Sequence, residues 1–322
     1  MKSLEGSTIL ITGGTGSFGR AFTKIILEEC NPKKVIIFSR DELKQHNMRN
    51  EGFDDSRLRY FIGDIRDRER LQRAMAGVDI VVHAAALKHV SSCEYNPFEA
   101  VQTNINGARN IVEAALDSGV KKVLALSTDK AVNPVNLYGA TKLVSEKIFV
   151  QGNAYGGAEN IRFSCVRYGN VVGSSGSVVP LFTKQKETGT ITITDERMTR
   201  FWLTLDQGVR FVIKSIDEMK GGEIFVPKIS SMKVVDLAEA IAPECDKKVI
   251  GIRAGEKLHE CMISKDEARH TLERDDSFVI VPEDHGWTEE DMPTSNLPEN
   301  FEYASDTNAQ WLTTEELQAL IK

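Results

Sequence analysis

The chain has 322 residues, 41% of them hydrophobic, and 40 Lys+Arg stand against 47 Asp+Glu for a formal net charge of -7. That length holds one large or two modest domains with a sizeable core. An acidic balance without a long basic run argues against a nucleic-acid or membrane-surface protein, since both need a basic footprint.

Residues 1–7 are short and polar and run straight into an apolar segment without a leader-like stretch, which reads as a cytoplasmic protein. The longest apolar stretch, 79–87, is far too short for a bilayer span. β-Branched runs at 8–12, 34–38, 58–62, 80–83, 122–126 and 163–166 alternate with amphipathic segments such as 18–29 and 68–75, the pattern of a parallel α/β sheet with helical crossovers. Beyond Gly169 the pattern changes to a Gly/Ser cluster at 173–177, short mixed segments and a helix expected at 313–321. Cys30, Cys93, Cys165, Cys245 and Cys261 are odd in number, widely spaced and without a C-x-x-C pair, as reduced structural thiols would be.

The first strand leads into Thr12-Gly13-Gly14-Thr15-Gly16-Ser17-Phe18-Gly19 and then a helix. Glycines at 13, 16 and 19 in the first strand–turn–helix let a backbone approach a pyrophosphate at a helix N-terminus, which binds the anion without a basic side chain. Gly13, Thr15, Gly16, Ser17, Phe18 and Gly19 are therefore candidate cofactor contacts. At the end of the second strand, where NAD-binding domains usually place a carboxylate for the ribose, stand Ser39 and Arg40. A hydroxyl and a guanidinium suit a 2′-phosphate, so NADP is favoured, with Lys44 as a second cation, although Asp41 and Glu42 follow and could turn inward. Asp64 and Ile65 after the third strand, and Ala84, Ala85 and Lys88 after the fourth, fall on the same carboxyl edge. His83 reads as a satisfied core residue.

After the fifth strand come Ser127-Thr128-Asp129-Lys130 and then Tyr138 with Lys142 four residues on, one helix face apart. That pair suits oxidation of an alcohol by a phenol whose pKa a nearby ammonium lowers. These motifs resemble the extended short-chain dehydrogenase/reductases that modify nucleotide sugars. With 39–44, 83–89, 167–170, 197–202, 251–253 and 255–260 they are similar to the inverting UDP-N-acetylglucosamine 4,6-dehydratases of pseudaminic acid and related pathways, over almost the whole chain. Ala254 stands where that family often has Pro.

The resemblance implies a Rossmann-like doubly wound parallel sheet with a smaller C-terminal substrate-binding lobe, divided at 1–168, with about 198–228 returning to the first domain, and 169–322. It implies a UDP-sugar substrate, a homo-oligomer and no metal, with Lys88, Asn170, Thr194, Arg200 and Arg253 as substrate contacts. Oxidising C4 of a hexose acidifies C5–H and places the C6 hydroxyl β to a ketone, so elimination needs an acid and a base. Asp129 is the candidate acid and Lys130 the candidate base, with Thr128, Tyr138 and Lys142 completing the catalytic set. Retaining dehydratases typically carry Asp-Glu in this slot, so Lys130 points to the inverting branch. Because direct pairing would shift both pKa values the wrong way, Asp129 and Lys130 are expected to face different atoms of the substrate rather than each other. A retaining dehydratase, a UDP-sugar 4-epimerase and a non-catalytic NADP-binding regulator are the competing readings.

Overall fold

A computed structural model of the protein describes residues 2–156, 161–172, 178–282 and 296–321, so the Gly/Ser cluster at 173–177 lies outside the described residues. The first half forms β1 (Thr8–Thr12), β2 (Lys34–Ser39), β3 (Leu58–Ile62), β4 (Ile80–His83), β5 (Lys122–Leu126) and β6 (Arg162–Val166). The second half adds β7 (Asn170–Val171), β8 (Thr190–Ile193), β9 (Thr199–Leu203), β10 (Ile224–Pro227), β11 (Ser230–Lys233), β12 (Asp246–Val249), β13 (Cys261–Ile263), β14 (Thr271–Glu273), β15 (Ser277–Ile280) and β16 (Tyr303–Ala304).

The main sheet runs β14-β15-β10-β6-β5-β4-β1-β2-β3. It is parallel from β3 to β10 and antiparallel where β15 and β14 extend it. Every residue of β1 is buried, which explains why the sequence there shows no polar alternation: both faces are covered. Successive side chains nevertheless go to opposite layers. Leu10, Val123 and Ala125 join Leu71, Ala108 and Phe149 on one face. Ile9, Ile11 and Leu124 join Phe22 and Ile213 on the other. Each fully buried side chain of this size contributes about 1.5–3 kcal/mol, so these two layers are what hold the sheet's carboxyl edge rigid. Helices Ser17–Glu29 and Leu205–Glu218 supply one layer, and Arg68–Met75, Gly107–Asp117 and Leu137–Tyr155 the other.

Between excursions into the sheet, the second half builds a smaller lobe from the β11-β9-β7 sheet and the β12-β8 pair, around Phe182, Ile191, Trp202, Leu237 and Leu317. Arg167, just past β6 and with no exposed surface, ties helix Leu137–Tyr155 to the 262–267 segment, whose Met262 and Ile263 pack in the core of the main sheet. It donates to Glu146 at 3.0 and 2.7 Å, to Glu267 at 3.2 and 2.9 Å and to the Met262 carbonyl at 2.8 Å. Strand order reverses between β1 and β4, which opens a crevice at their carboxyl ends.

Candidate active site

A cavity of about 710 Å³ occupies that crevice, and Gly13, Thr15, Gly16, Ser17, Phe18 and Gly19 line it. Gly13 has φ +66°, and a Cβ there would stand 3.0 Å from the Ala85 backbone, so only glycine lets the loop lie against Ala84 and Ala85. A Cβ on Gly19 would come within 2.5 Å of the Gly14 backbone, which is why the helix can start so close to the loop. That helix, Ser17–Glu29, has Gly16 at its N-cap, no side-chain cap and no acidic residue in its first turn. Its positive dipole end faces the cavity and suits an anion. The cradle fits the pyrophosphate of a dinucleotide.

At the end of β2, Ser39 Oγ is 3.0 Å from Thr15 Oγ1, and Arg40 and Lys44 also line the cavity. Asp41 is the N-cap of helix Glu42–Asn50, accepting from the Lys44 backbone at 3.0 Å, and that hydrogen bond holds its carboxyl below the usual range. Its carboxylate is thus engaged in the cap. The Lys44 ammonium lies 3.5 Å from the same carboxylate. Ile65 lines the cavity, whereas Asp64 stands behind it, 3.6 Å from Arg40 and clasped by Arg66 at 2.9 and 2.7 Å. Burial works against the Asp64 carboxylate, but Arg66 and Arg40 outweigh it and keep its pKa low. Gly63, which the motif reading passed over, is equally constrained: a Cβ there would meet the Phe38 ring at 2.5 Å.

Across the crevice, Ala84, Ala85, Lys88, Ser127, Thr128, Lys130, Tyr138, Lys142 and Asn170 form the opposite wall. Thr12 receives the Ala84 and Ala85 amides at 3.2 and 3.3 Å and meets His83 Nδ1 at 2.8 Å. Burial and then the Lys142 charge push His83 down to about 3, so it is a neutral core residue. Thr103 Oγ1, Ser127 Oγ and Asn170 Oδ1 are buried cavity-wall atoms without a hydrogen-bond partner among the described residues, as expected of groups that await a polar ligand. Thr103 lies on the π-helical turn Val101–Asn106 and has no recognisable motif around it.

Asp129 and Lys130 sit on a single 3₁₀ turn, Asp129–Ala131, capped by Thr128. The expectation that they face apart is wrong in this structure. Lys130 Nζ donates to Asp129 Oδ1 at 3.1 Å, and Thr128 Oγ1 donates to the same oxygen at 2.8 Å. A second carboxylate, Glu260, approaches Lys130 to 3.4 Å. Burial opposes the Lys130 charge, but Asp129 and Glu260 outweigh it and raise the pKa. The short 3₁₀ turn brings the neighbouring side chains together, and Glu260, 2% exposed and more than a hundred residues downstream, adds an attraction at Lys130 that adjacency in sequence does not reveal.

The tyrosine also departs from expectation. Burial pushes Tyr138 up to about 12, against the Lys130 charge and a Thr128 hydrogen bond that pull it down. Lys142 is not among the groups that shift it; its Nζ donates to the Leu126 carbonyl at 2.7 Å, and burial lowers its own pKa. Lys142 therefore ties the helix to the end of β5, while Lys130 is the cation whose charge lowers the phenol's pKa.

Asn170 and Lys88 are the expected sugar contacts that line the cavity; Thr194, Arg200 and Arg253 do not. Thr194 follows β8 and is half-buried. Arg253 is exposed, 3.7 Å from Glu256. Arg200 is buried and spends its guanidinium on the carbonyls of Thr199, Leu258 and Lys257 at 2.6, 3.1 and 3.0 Å, with Nε 3.8 Å from Glu260. Among the described residues no cluster of His, Cys, Asp and Glu could hold a metal, no helix is long and apolar enough to cross a membrane, and the five cysteines are buried and form no disulfide with one another.

The sequence profile described as polysaccharide biosynthesis protein matches residues 9–282. A Campylobacter jejuni protein named UDP-N-acetylglucosamine 4,6-dehydratase (inverting) is 53% identical over 98% of this chain and 98% of its own. A Rickettsia canadensis protein named UDP-glucose 4-epimerase is 42% identical over 85% of this chain and 82% of its own. The solved structure of Pen from Bacillus thuringiensis is similar at TM-score 0.90 and 39% identity, covering 99% of both chains. The chain belongs to the polysaccharide biosynthesis protein family, which it shares with the inverting UDP-N-acetylglucosamine 4,6-dehydratase of Campylobacter jejuni.

Proposed function

We propose that the protein is an NADP-dependent, C5-inverting UDP-N-acetylglucosamine 4,6-dehydratase. The observation that carries the reading is the Asp129–Lys130 pair on one turn, with Tyr138 on the same cavity wall and Lys rather than Glu beside the aspartate. The relative that is 53% identical over nearly the whole chain supports the same reaction. Ser39 and Arg40 favour a 2′-phosphate over a bare ribose, because Asp41 is engaged as a helix cap. The resemblance also implies a homo-oligomer.

When bound, the nicotinamide supplies a hydride acceptor for C4 and a hydride donor for C6, so that the overall reaction loses water without net oxidation. Tyr138 takes the C4 hydroxyl proton, its phenolate favoured by the Lys130 charge and by Thr128 against burial. Transfer of one proton across the 3.1 Å contact turns the Lys130–Asp129 ion pair into an amine and a carboxylic acid, the forms elimination needs. Desolvation favours that neutral pair, since Asp129 is already out of water and Lys130, its partly exposed partner, loses its remaining water when the cavity fills. Lys130 Nζ then takes the C5 proton, the C5–H electron pair enters the enolate, and the C6–O bond breaks as Asp129 protonates the leaving hydroxyl; once C6 is reduced, C5 regains a solvent-derived proton on the face opposite to the one deprotonated, which inverts the centre. Asn170 and Lys88 orient the sugar nucleotide, with a charge-assisted contact from Lys88.

The direct test is turnover of UDP-N-acetylglucosamine followed by proton NMR. A new C6 methyl doublet is expected; a 4-epimer with its C6 hydroxymethyl intact would instead make the chain an epimerase, the activity named for its 42% identical relative, and NADP binding without turnover would make it a non-catalytic binder.

A further inference from the structure

Lys130 is held from two sides. Asp129 belongs to its own turn, but Glu260 comes from the segment that leads into β13, more than a hundred residues downstream. Glu260 is fixed through its backbone, donating to Ser305 Oγ at 2.9 Å and accepting from the Ser305 amide at 2.8 Å. Its Oε1 faces Lys130 at 3.4 Å and Arg200 Nε at 3.8 Å, and its Oε2 lies 4.0 Å from Lys257 Nζ and has no hydrogen-bond partner among the described residues. Lys257 is itself anchored on the Val132 carbonyl, one residue past the catalytic turn. The groups facing this point are thus Asp129, Lys130 and Tyr138 from the large domain, Arg200 from β9, and Lys257 and Glu260 from the loop before β13.

A carboxylate this deeply buried is costly unless it faces cations. Arg200 does not fully satisfy it, because its hydrogen bonds go to backbone carbonyls, and Lys257 stands at the limit of ion-pair range. Lys130 is the closest cation to it. We propose that Glu260 is a positioning residue for Lys130: from the C-terminal lobe it holds the ε-amino group at the reacting turn and provides the counter-charge that the amine meets when it takes the C5 proton. The inference rests on the proposed role of Lys130 as base. In that step Nζ gains a proton and a positive charge while C5 leaves its electron pair in the enolate, so a fixed anion beside Nζ stabilises the charge as it forms.

The protonation state of Lys130 can be read without substrate, since only the free amine is acylated. Trace labelling with acetic anhydride at pH 8, normalised to the exposed Lys121 and followed by peptide mass spectrometry, reports the neutral fraction. An opposite charge at this distance shifts a pKa by roughly one to three units, so Glu260→Gln should raise Lys130 labelling by about tenfold or more, and Glu260→Asp, which keeps the charge, should return it toward the wild-type value. Alkylation of Cys93, buried in the cluster beside Tyr138, should stay as slow as in wild type; rapid alkylation would assign the change to loosened packing and overturn the proposal. In turnover, Glu260→Gln should move the acid limb of the kcat–pH profile to lower pH by about one unit or more and, with Nζ no longer held in place, lower kcat above that limb about tenfold or more, with KM for the sugar nucleotide within about threefold. Unchanged Lys130 labelling, or wild-type kcat, in a folded Glu260→Gln protein would refute the role of Glu260. Lys130→Met separates this from the parent reading: if that variant still dehydrates the sugar, Lys130 is not the base and both ideas fall, whereas an inactive Lys130→Met beside an unaltered Glu260→Gln removes the inference alone.

Discussion

Replacing Arg167 by Met removes a cation on which two carboxylates depend. Its guanidinium makes five hydrogen bonds, four of them to Glu146 and Glu267, and neither it nor Glu146 has more than 2% exposure. Burial raises the Glu267 pKa, but Arg167 and the Ser264 hydrogen bonds outweigh it and hold the value low. Breaking a buried pair from one side costs about 3–5 kcal/mol, because the remaining charge is left uncompensated. Here two carboxylates remain, so Arg167→Met should fall at the upper end of that range in urea denaturation at pH 8. The pH dependence carries the sign. In wild type the depressed Glu267 pKa adds stability above the unfolded-state value of about 4.3, and that stability is lost as pH falls through the lower folded-state pKa. In Arg167→Met only the Ser264 hydrogen bonds are left to oppose burial at Glu267, so its pKa rises and the variant should gain stability as pH drops from 8 to 5, where wild type stays level. A loss below about 1 kcal/mol, or parallel pH profiles, would refute the assignment of Arg167 as the clamp between helix Leu137–Tyr155 and the 262–267 segment.

Gly13→Ala forces a left-handed backbone on an L-residue, at about 1–2 kcal/mol, and drives its Cβ against Ala85 at 3.0 Å; NADPH fluorescence titration should show affinity weakened by at least tenfold. Arg40→Ser should reduce the preference for NADP over NAD by about tenfold, the equivalent of one charge-assisted hydrogen bond of ~1.5 kcal/mol discounted for an exposed site; calorimetric titration with both dinucleotides decides it, and an unchanged ratio would place the 2′-phosphate elsewhere. Tyr138→Phe should cut kcat by about 10²–10⁴-fold, the usual range for a positioned acid–base group, while NADP affinity stays within about threefold.

Much of the large domain is legible in the sequence because its signals are local. The apolar runs at 8–12, 58–62, 80–83 and 122–126 coincide with β1, β3, β4 and β5; β1 and β4, buried on both faces, carry a continuous apolar mark, and the edge strand β3 is legible from its turn-bounded run alone. The glycine loop is legible for a similar reason: a tight strand-to-helix turn restricts Cβ atoms within eight residues. Glu260 has no local mark. Its segment offers no periodicity, and its meaning depends on β9 and the 129–131 turn arriving beside it from elsewhere in the chain. The same long-range origin hides β14 and β15, short strands that join the main sheet antiparallel at its far edge. Arg200 illustrates the opposite error. A guanidinium in a sugar-nucleotide enzyme suggests a diphosphate contact, but the carbonyls around it show that burial has already committed its donors. Net charge is likewise uninformative about the cavity: the cradle of the glycine loop is backbone, and the cations on the wall, Arg40, Lys44, Lys88, Lys130 and Lys142, are few within an acidic whole.

The central claim, elimination through a Lys130 base with inversion at C5, is tested most directly by incubating the enzyme with NADP and UDP-N-acetylglucosamine in D₂O and reading the product by NMR. The expected product carries a C6 methyl group, one solvent deuterium at C5 and the L-arabino configuration of a 4-keto-2,6-dideoxy-2-acetamido hexose. A methyl product with the original C5 configuration would contradict inversion, and a product without the methyl group would contradict dehydration itself.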